Sequence, residues 1–473
     1  MMHEPQPLLF VSSGLEKPKK RDTSINRQNL YLNYGFLGLA SLVAERFPVE
    51  LVHGRFESAE GLVETLSEAG RLPSRGPLFL SVPSCFALGW ARAFSAAVKA
   101  RRPGVWIVVG GRWALGVDVD WVRRQLPDVD HVVLGTAEHR ILELASSAAS
   151  PIKHWDGVFS EPDLDTLPAL NLRLMPDYLL YQPSLEMSRG CGRGCHFCLE
   201  RDRRLGAMRH PSDAMGELDR YASTYGSRDI HPYFEASFFR PTRRWIEEFA
   251  ALCRASGWVP SWRCETRADA WAPSDLQLLA QAGLGVVDVG LESASPTQLL
   301  RMGKARDPER YLGRAEQLLQ ACKENGIRVK VNVLLYAGET PDTLEETRTW
   351  LNAHAQSISG LSVSPLLVYH TGPGDDLYLQ ELSTVGATPA DHSSLDRDGY
   401  VALNLSAVMD AEAADEAALA LSREFMDMES YYELKAFSYF SRELTFDDFR
   451  SMVASSNVSD LPFCVKPPRR FVE

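Results

Sequence analysis

Three cysteines are the residues whose type and spacing most clearly indicate chemistry. Cys191, Cys195 and Cys198 lie within eight positions of one another, whereas the other five cysteines are scattered along the chain. Scattered cysteines of this kind are expected to be small buried apolar residues. Eight cysteines are also too few for a disulfide scaffold in a chain of 473 residues. Three clustered thiolates can instead hold a metal ion or an iron–sulfur cluster.

The number of ligands separates these two kinds of site. A structural zinc ion normally has four protein ligands, and no fourth cysteine has a matching spacing. His196 lies inside the loop, but a residue flanked by ligands on both sides is poorly placed to turn inward. Three cysteines on a [4Fe–4S] cluster leave one iron open for a substrate or cofactor. The spacing therefore favours a reactive iron–sulfur site, with a zinc methyltransferase as an alternative.

Composition limits the class of protein. Hydrophobic residues make up 45% and charged residues 24%, as in ordinary globular proteins. The net charge of −12 argues against nucleic acid and favours a small neutral or cationic partner. We find no apolar run long enough to span a membrane and no secretory signal, so a cytoplasmic protein is expected. The basic residues at 201–204 are interpreted as a solvated loop.

Alternating strands and helices organise the chain into an α/β protein. Over 1–145, short apolar strands ending in Gly or Ser alternate with helices, which predicts a Rossmann-like parallel sheet. Residues 146–183 are rich in proline and are expected to form a crossover. Over 184–378, six further β/α units predict a partial TIM-type barrel, with the cysteine loop after its first strand. Residues 379–473 are predicted to be mostly helical.

The cysteine loop in this setting resembles the radical S-adenosylmethionine superfamily. The shared features are C-x3-C-x2-C after the first barrel strand and an aromatic residue, Phe197, before the last cysteine. The resemblance implies that Cys191, Cys195 and Cys198 hold a [4Fe–4S] cluster, with Phe197 near the adenine. S-adenosylmethionine would bind the open iron and be cleaved reductively to a 5′-deoxyadenosyl radical. An electron donor such as flavodoxin or ferredoxin is implied as a partner.

Further strand ends match this superfamily in order. By the resemblance, Glu235 would bind the cofactor amine and Arg267 its carboxylate. Glu292 and Ser293 would line the ribose, and Gly338 would let the backbone approach the adenine. Glu235 and Tyr336 are the candidate catalytic residues. Further candidate substrate contacts near strand ends are Glu186, Tyr369 and His370.

The N-terminal part resembles the cobalamin-binding domain of B12-type radical enzymes. Gly110 and Gly111, together with the segment 135–138, correspond to the two glycine-rich loops of that domain. The Asp-x-His-x-x-Gly motif is absent, and Arg112 and Trp113 stand where small residues are usual.

Three functions remain open on these grounds. With cobalamin, the resemblance implies methylation of a small polar natural-product substrate. Without it, the nearest model is the radical diol dehydratase of aminoglycoside biosynthesis, which acts on a cationic amino sugar. A non-catalytic iron–sulfur sensor is the remaining alternative.

Overall fold

The structure is a computed structural model that describes residues 6–16, 21–114, 118–146, 162–372 and 374–465. Residues 147–161 of the expected crossover lie outside the described residues, as does Pro373. Within the described residues, no helix is both long and apolar enough to cross a bilayer.

A five-stranded parallel sheet forms the N-terminal part. Its strands are β1 (Leu8–Ser12), β2 (Val49–His53), β3 (Gly76–Ser81), β4 (Val105–Gly110) and β5 (His131–Val132). They are joined through α1 (Tyr34–Ala44), α2 (Ala59–Glu68), α3 (Leu88–Arg101) and α4 (Val119–Gln125), and α5 (Ile141–Ser146) follows. The strand order is β2-β1-β3-β4-β5, so the winding direction reverses between β1 and β3. Doubly wound sheets bind ligands at such a switch, beyond the carboxyl ends of the strands.

A six-stranded parallel sheet forms the partial barrel, in the order β11-β10-β9-β8-β7-β6. Its strands are β6 (Ser184–Glu186), β7 (Tyr233–Glu235), β8 (Trp262–Arg267), β9 (Leu284–Glu292), β10 (Arg328–Leu335) and β11 (Gly360–Pro365). The outer helices are α6 (Pro211–Tyr225), α7 (Arg243–Ser256), α8 (Pro273–Gln281), α9 (Pro296–Arg301), α10 (Pro308–Glu324) and α11 (Pro341–Ala353). The predicted α/β class and the order of its two parallel sheets are confirmed.

The remaining chain combines helices with a small antiparallel sheet. Strands β12 (Leu367–Tyr369), β13 (Thr388–Pro389) and β14 (Tyr400–Asn404) form that sheet, in the order β12-β14-β13. The helices are α12 (Asp375–Ser383), α13 (Ser394–Asp398), α14 (Ala411–Glu424), α15 (Met428–Ala436) and α16 (Phe446–Ala454). The sequence analysis had not anticipated this small sheet.

The barrel strands have one apolar and one polar face. Phe234 of β7 stacks on Trp262 of β8 and packs against Phe249 of α7, so these side chains point towards the helices. Because side chains alternate along a strand, Glu235 and Glu265 point to the opposite, inner face. This alternation places charged residues inside the barrel and apolar residues in the layer under the helices.

Candidate active site

The cysteine loop follows β6 and is shaped by three glycines. Gly190, Gly192 and Gly194 all have positive φ, a region that residues with a side chain rarely adopt. A Cβ on Gly190 would collide with the carbonyl of Arg204, which pairs with Cys191 in an isolated bridge. The backbone N–H of Cys198 donates to the carbonyl of Cys195 at 3.1 Å, which closes a tight turn between them. The loop therefore folds back on itself between Cys191 and Arg204.

The three thiols share one electrostatic environment. Burial raises the pKa of Cys191, and it raises the pKa of Cys198 to about 11. Negative charge on Cys195 raises the pKa of both Cys191 and Cys198, whereas the positive charges of Arg267 and Lys304 lower that of Cys191. Cations beside clustered thiols favour the thiolates that ligate metals. This donor set fits a cluster bound by three cysteines.

His196 is turned away from the cysteines. Its Nδ1 lies 2.9 Å from the carbonyl oxygen of Arg301, and its backbone N–H donates to Met302. A Cβ on Gly303 would collide with its Nε2, so the ring lies against the end of α9. In this position the ring nitrogen of His196 has a backbone partner at the end of α9. Among the described residues, no group of three His, Cys, Asp or Glu is arranged to hold a single metal ion.

Arg267 lies at the cysteine loop and is only 7% exposed. Its Nη1 donates to the Sγ of Cys195 at 3.3 Å, its Nη2 donates to the carbonyl of Lys304, and its Nε pairs with Asp269. The sequence analysis predicted an interaction with the cofactor carboxylate. In the structure the guanidinium already has three protein partners, one of them a candidate cluster ligand.

Phe197 and Tyr336 form an aromatic group beside the loop. Their ring centroids are 6.4 Å apart in an edge-on arrangement, and the Tyr336 hydroxyl lies 3.3 Å from that of Tyr378. Burial raises the pKa of Tyr336, so its hydroxyl stays protonated at neutral pH. Phe197, which follows β6, and Tyr336, which follows β10, therefore lie close together.

Glu292, the last residue of β9, and Ser293, which follows it, have different partners. Glu292 adopts a positive φ and its carboxylate accepts from the Nζ of Lys304 at 3.0 Å. Ser293 is buried, and its hydroxyl lies 3.0 Å from that of Thr347 on α11. The structure therefore engages the Ser293 side chain with a helix of the outer layer.

Gly338 is constrained by its surroundings. It has a φ of +77°, its carbonyl accepts from Arg301 at 2.9 Å, and a Cβ there would collide with that guanidinium. A glycine is therefore required at this turn.

Four carboxylates lie in one layer across the inner face of the barrel. Glu186 pairs in register with Glu235, and Glu265 pairs with Asp288, which is also in register with Lys330. Although burial alone would raise the pKa of Asp288, Arg263 and Lys330 hold it well below its ordinary value. The Asp288 carboxylate is therefore ionised, and two cations balance its charge.

Glu235 and Glu265 have no such ion pair among the described residues. Burial raises the pKa of Glu235 to about 8, and its carboxylate accepts a hydrogen bond from the hydroxyl of Ser184 at 2.9 Å. Glu265 is exposed to the barrel interior, but the surrounding walls limit its hydration and raise its pKa to about 7. Among the described residues, neither side chain has a cation within ion-pair distance. The barrel interior therefore carries two adjacent carboxylates able to accept a positive charge.

The two remaining candidate contacts lie elsewhere. Tyr369 packs against the core of the first sheet. The His370 ring packs against Trp121 at a tilt of 36° with ring centroids 4.5 Å apart, and its Nδ1 lies 2.7 Å from Asp375. The structure places both residues at the N-terminal sheet and away from the group formed by Glu235 and Glu265.

The carboxyl edge of the first sheet has glycines and buried polar atoms that bear on its fit to a corrinoid. Gly110 ends β4, and Gly111 has a φ of +130° because its backbone lies against Val82. Three buried polar atoms at this edge lack a hydrogen-bond partner among the described residues: Ser13 Oγ, Ser84 Oγ and Trp113 Nε1. Buried polar atoms are rarely left unpaired. They fit the amide and phosphate groups of a corrinoid's periphery.

Comparison with known families decides the class of the barrel. Residues 185–351 match the model of the Radical SAM superfamily. The chain contains a radical SAM domain. Residues 185–351 thus form a domain of the superfamily whose members use a [4Fe–4S] cluster and S-adenosylmethionine.

Curated relatives match part of the chain. It is 26% identical over 276 residues to the ribosomal protein uS12 methylthiotransferase RimO of Methylobacterium radiotolerans, covering 55% of this chain and 58% of the relative. It is 27% identical over 290 residues to RimO of Paramagnetospirillum magneticum, covering 57% and 61%. The chain thus spans about three fifths of the length of these relatives.

Solved structures share the fold over a larger part of the chain. The cobalamin-dependent S-adenosylmethionine radical enzyme OxsB matches with a TM-score of 0.62 and 14% identity, covering 91% of this chain and 67% of OxsB. The radical S-adenosylmethionine methyltransferase TsrM of Kitasatospora setae matches with a TM-score of 0.56 and 19% identity, covering 76% and 73%. At these identities the matches establish a shared fold.

Several residues of the site were missed from sequence. Glu265 stands two positions before Arg267 and belongs to the same inner face, so the period of two in the strand carried the signal. Lys304 lies on a loop after α9, and Arg189 and Glu200 flank the cysteine loop. No periodicity or motif in the sequence indicates the partners of these three residues.

Proposed function

We propose that this radical SAM enzyme abstracts hydrogen from a small cationic substrate held in the barrel, and that the reaction leads to cobalamin-dependent methylation. The observation that carries the substrate class is the adjacent pair Glu235 and Glu265, which lack a cationic partner among the described residues. An amine that reaches them would neutralise both carboxylates where water is limited.

Each part of the site has a task in this proposal. Cys191, Cys195 and Cys198 hold the cluster, and Arg267 donates a hydrogen bond to the Sγ of Cys195. When bound, the cluster and S-adenosylmethionine supply the 5′-deoxyadenosyl radical, and methylcobalamin supplies the methyl group. Phe197 and Tyr336 form an apolar wall beside the cysteines that would exclude water from a radical.

Cobalamin is proposed for the carboxyl edge of the first sheet. Ser13, Ser84 and Trp113 would donate to its polar periphery, and the glycine pair Gly110 and Gly111 would lie against it. Support comes from the shared fold with OxsB and with TsrM, whose solved structures include complexes with cobalamin.

A second candidate function, cobalamin-free dehydration of a cationic amino sugar, is favoured by a different observation. The cavity lined by Tyr34, Gly38, Glu138 and Arg189 between the two sheets has a volume of about 30 Å³. This is room for water only. A corrinoid ring would require this interface to open, whereas a dehydratase would leave it closed.

The experiment uses the full chain reconstituted anaerobically with iron and sulfide, and supplied with S-adenosylmethionine and a reductant. Glucosamine is the cationic probe, and N-acetylglucosamine is its matched neutral control. The proposal expects 5′-deoxyadenosine formation to rise with glucosamine and not with the acetylated sugar. Equal responses to both sugars would contradict a cation site.

The same reaction, run with and without hydroxocobalamin, separates the two candidates. Retained corrinoid and gain of a methyl group by the substrate support methylation. Loss of one water from the substrate without any corrinoid supports dehydration and overturns the methylation proposal.

Substitution of Glu265 tests the substrate site itself. Glu265→Gln is preferred to a change at Glu235, because Glu235 is also the candidate ligand of the cofactor amine. The variant should raise KM for the amine at least tenfold and leave cluster content unchanged. Glu247→Gln on the exposed face of α7 is the control, since its partner Arg243 is also exposed.

A further inference from the structure

Each glycine-rich loop of the first sheet ends in a charged residue that reaches the cysteine loop. Glu138, after β5, accepts from the Nη2 of Arg189 at 2.6 Å. Arg112, after β4, donates its Nη2 to Glu200 at 3.0 Å. The two contacts therefore join the N-terminal sheet to the segment that carries the three cysteines.

Arg189 and Glu200 stand on either side of that segment. Arg189 lies two positions before Cys191, and Glu200 lies two positions after Cys198. The carbonyl of Arg189 also accepts from the backbone N–H of Gly206 at 2.9 Å. The backbone conformation at Arg189 thus determines where the loop leaves β6 and where Cys191 lies.

The pair of Glu138 and Arg189 is the better protected of the two contacts. Their side chains are 12% and 16% exposed, and Arg189 also donates to Glu186 through Nε and Nη2, at 2.8 and 2.9 Å. In the other pair, Arg112 is 57% exposed. Exposed ion pairs contribute little to stability, whereas a buried pair is screened much less by water and salt. Glu138 is therefore the principal link.

We infer that Glu138 is a positioning residue that couples the N-terminal domain to the cluster loop. Through Arg189 it holds the start of the loop against β6, so that the three cysteines keep their arrangement. The inference rests on the proposed function for the role of the cysteines. It assigns the N-terminal domain a task at the cysteine loop.

The test compares two variants of the full chain by hydrogen exchange of the segment 189–206. Glu138→Gln removes the charge facing Arg189 and keeps the shape of the side chain. Glu143→Gln on α5 is the matched control, because its pair with Arg140 is exposed. Glu138→Asp, which keeps the charge, covers the case in which the first variant folds poorly, as judged by circular dichroism.

In Glu138→Gln, amide exchange over 189–206 should be at least fivefold faster than in the wild type, with exchange in α7 and α10 unchanged. Glu138→Asp should show an intermediate effect and Glu143→Gln none. In the reconstituted protein, Glu138→Gln should also change the electron paramagnetic resonance spectrum of the reduced cluster. Wild-type exchange of this segment in Glu138→Gln would overturn the inference.

The exchange measurement does not require a cluster or cofactor cleavage. If the protein binds no cluster but loop exchange is faster in Glu138→Gln, the positioning role of Glu138 is supported and the proposed function is overturned. If the cluster is active but exchange is unchanged in Glu138→Gln, the proposed function is supported and the positioning role of Glu138 is overturned. The two failures are therefore distinguishable.

Discussion

The guanidinium of Arg267 donates to the Sγ of Cys195 at 3.3 Å, although the two residues are 72 positions apart. The arginine comes from the end of β8 and the cysteine from the loop after β6, so β7 lies between them in the sheet. A buried cation beside a thiol stabilises the thiolate that ligates iron. Arg267 thereby links the third barrel strand to the cysteine loop.

Replacement of Arg267 should weaken cluster retention. Arg267→Gln removes the charge beside Cys195 and leaves Asp269 without its buried partner. We expect iron bound per chain after reconstitution and desalting to fall at least twofold. Arg243→Gln on the surface of α7 should retain the wild-type iron content. Unchanged iron together with a large loss of S-adenosylmethionine affinity would assign Arg267 to the cofactor carboxylate alone.

Cys195 should be indispensable for the cluster. Cys195→Ala removes the most buried of the three thiols, and the iron–sulfur absorbance of the reconstituted protein should be lost. Cys464→Ser is the control, because Cys464 lies far along the chain and its thiol donates to the backbone carbonyl of Arg423. Normal cofactor cleavage by Cys195→Ala would contradict the assignment of the three cysteines.

Two glycine substitutions should change stability in opposite directions. Gly338→Ala places a Cβ in the left-handed region and against Arg301, which costs at least about 1–2 kcal/mol. Gly313→Ala lies inside α10 with open space around it, and should stabilise by about 0.5–1 kcal/mol. Thermal unfolding followed by circular dichroism measures both. A Gly338→Ala midpoint equal to that of the wild type would remove the requirement for glycine at the turn.

Binding of an amine should strengthen as pH rises from 6 to 8. Limited hydration raises the pKa of Glu265 to about 7 and that of Glu235 to about 8. Below these values the carboxyls are protonated and neutral; above them they are charged and attract a cation. The charged groups around them, which set these pKa values, are Glu186, Arg112, Asp288, Lys330, Glu292 and Lys304.

The measurement for this prediction is kcat/KM for glucosamine-dependent 5′-deoxyadenosine formation across that pH range, with KM expressed as the concentration of protonated glucosamine at each pH. In the wild type it should increase with pH, and Glu265→Gln should be lower throughout and lack the inflection near pH 7. A flat wild-type profile would contradict a role for ionised Glu235 and Glu265 in binding.

The fold was predictable because its signals are local. Apolar strands alternate with helices, and turns at Gly110 and the glycines around Cys191 mark the strand ends. In β8 the residues Arg263, Glu265 and Arg267 recur with a period of two, which is enough to predict one polar face. The order of the barrel strands follows from the parallel β/α repeat.

The contacts of the site were not predictable because they depend on distance in space. Nothing in the sequence links Glu138 to Arg189, which are 51 positions apart. Ser293 was predicted to line the ribose from its motif, but its hydroxyl is engaged with Thr347 on a helix that only the fold brings near. Similarly, Tyr369 follows the last barrel strand, yet the small antiparallel sheet directs it to the first sheet.

The most direct test of the central claim is reductive cleavage of S-adenosylmethionine by the anaerobically reconstituted chain. With a reductant present, we predict 5′-deoxyadenosine and methionine in the wild type and neither product in Cys195→Ala. An intact [4Fe–4S] spectrum with no 5′-deoxyadenosine, in the presence of reductant and amine substrates, would contradict the account and favour a non-catalytic cluster.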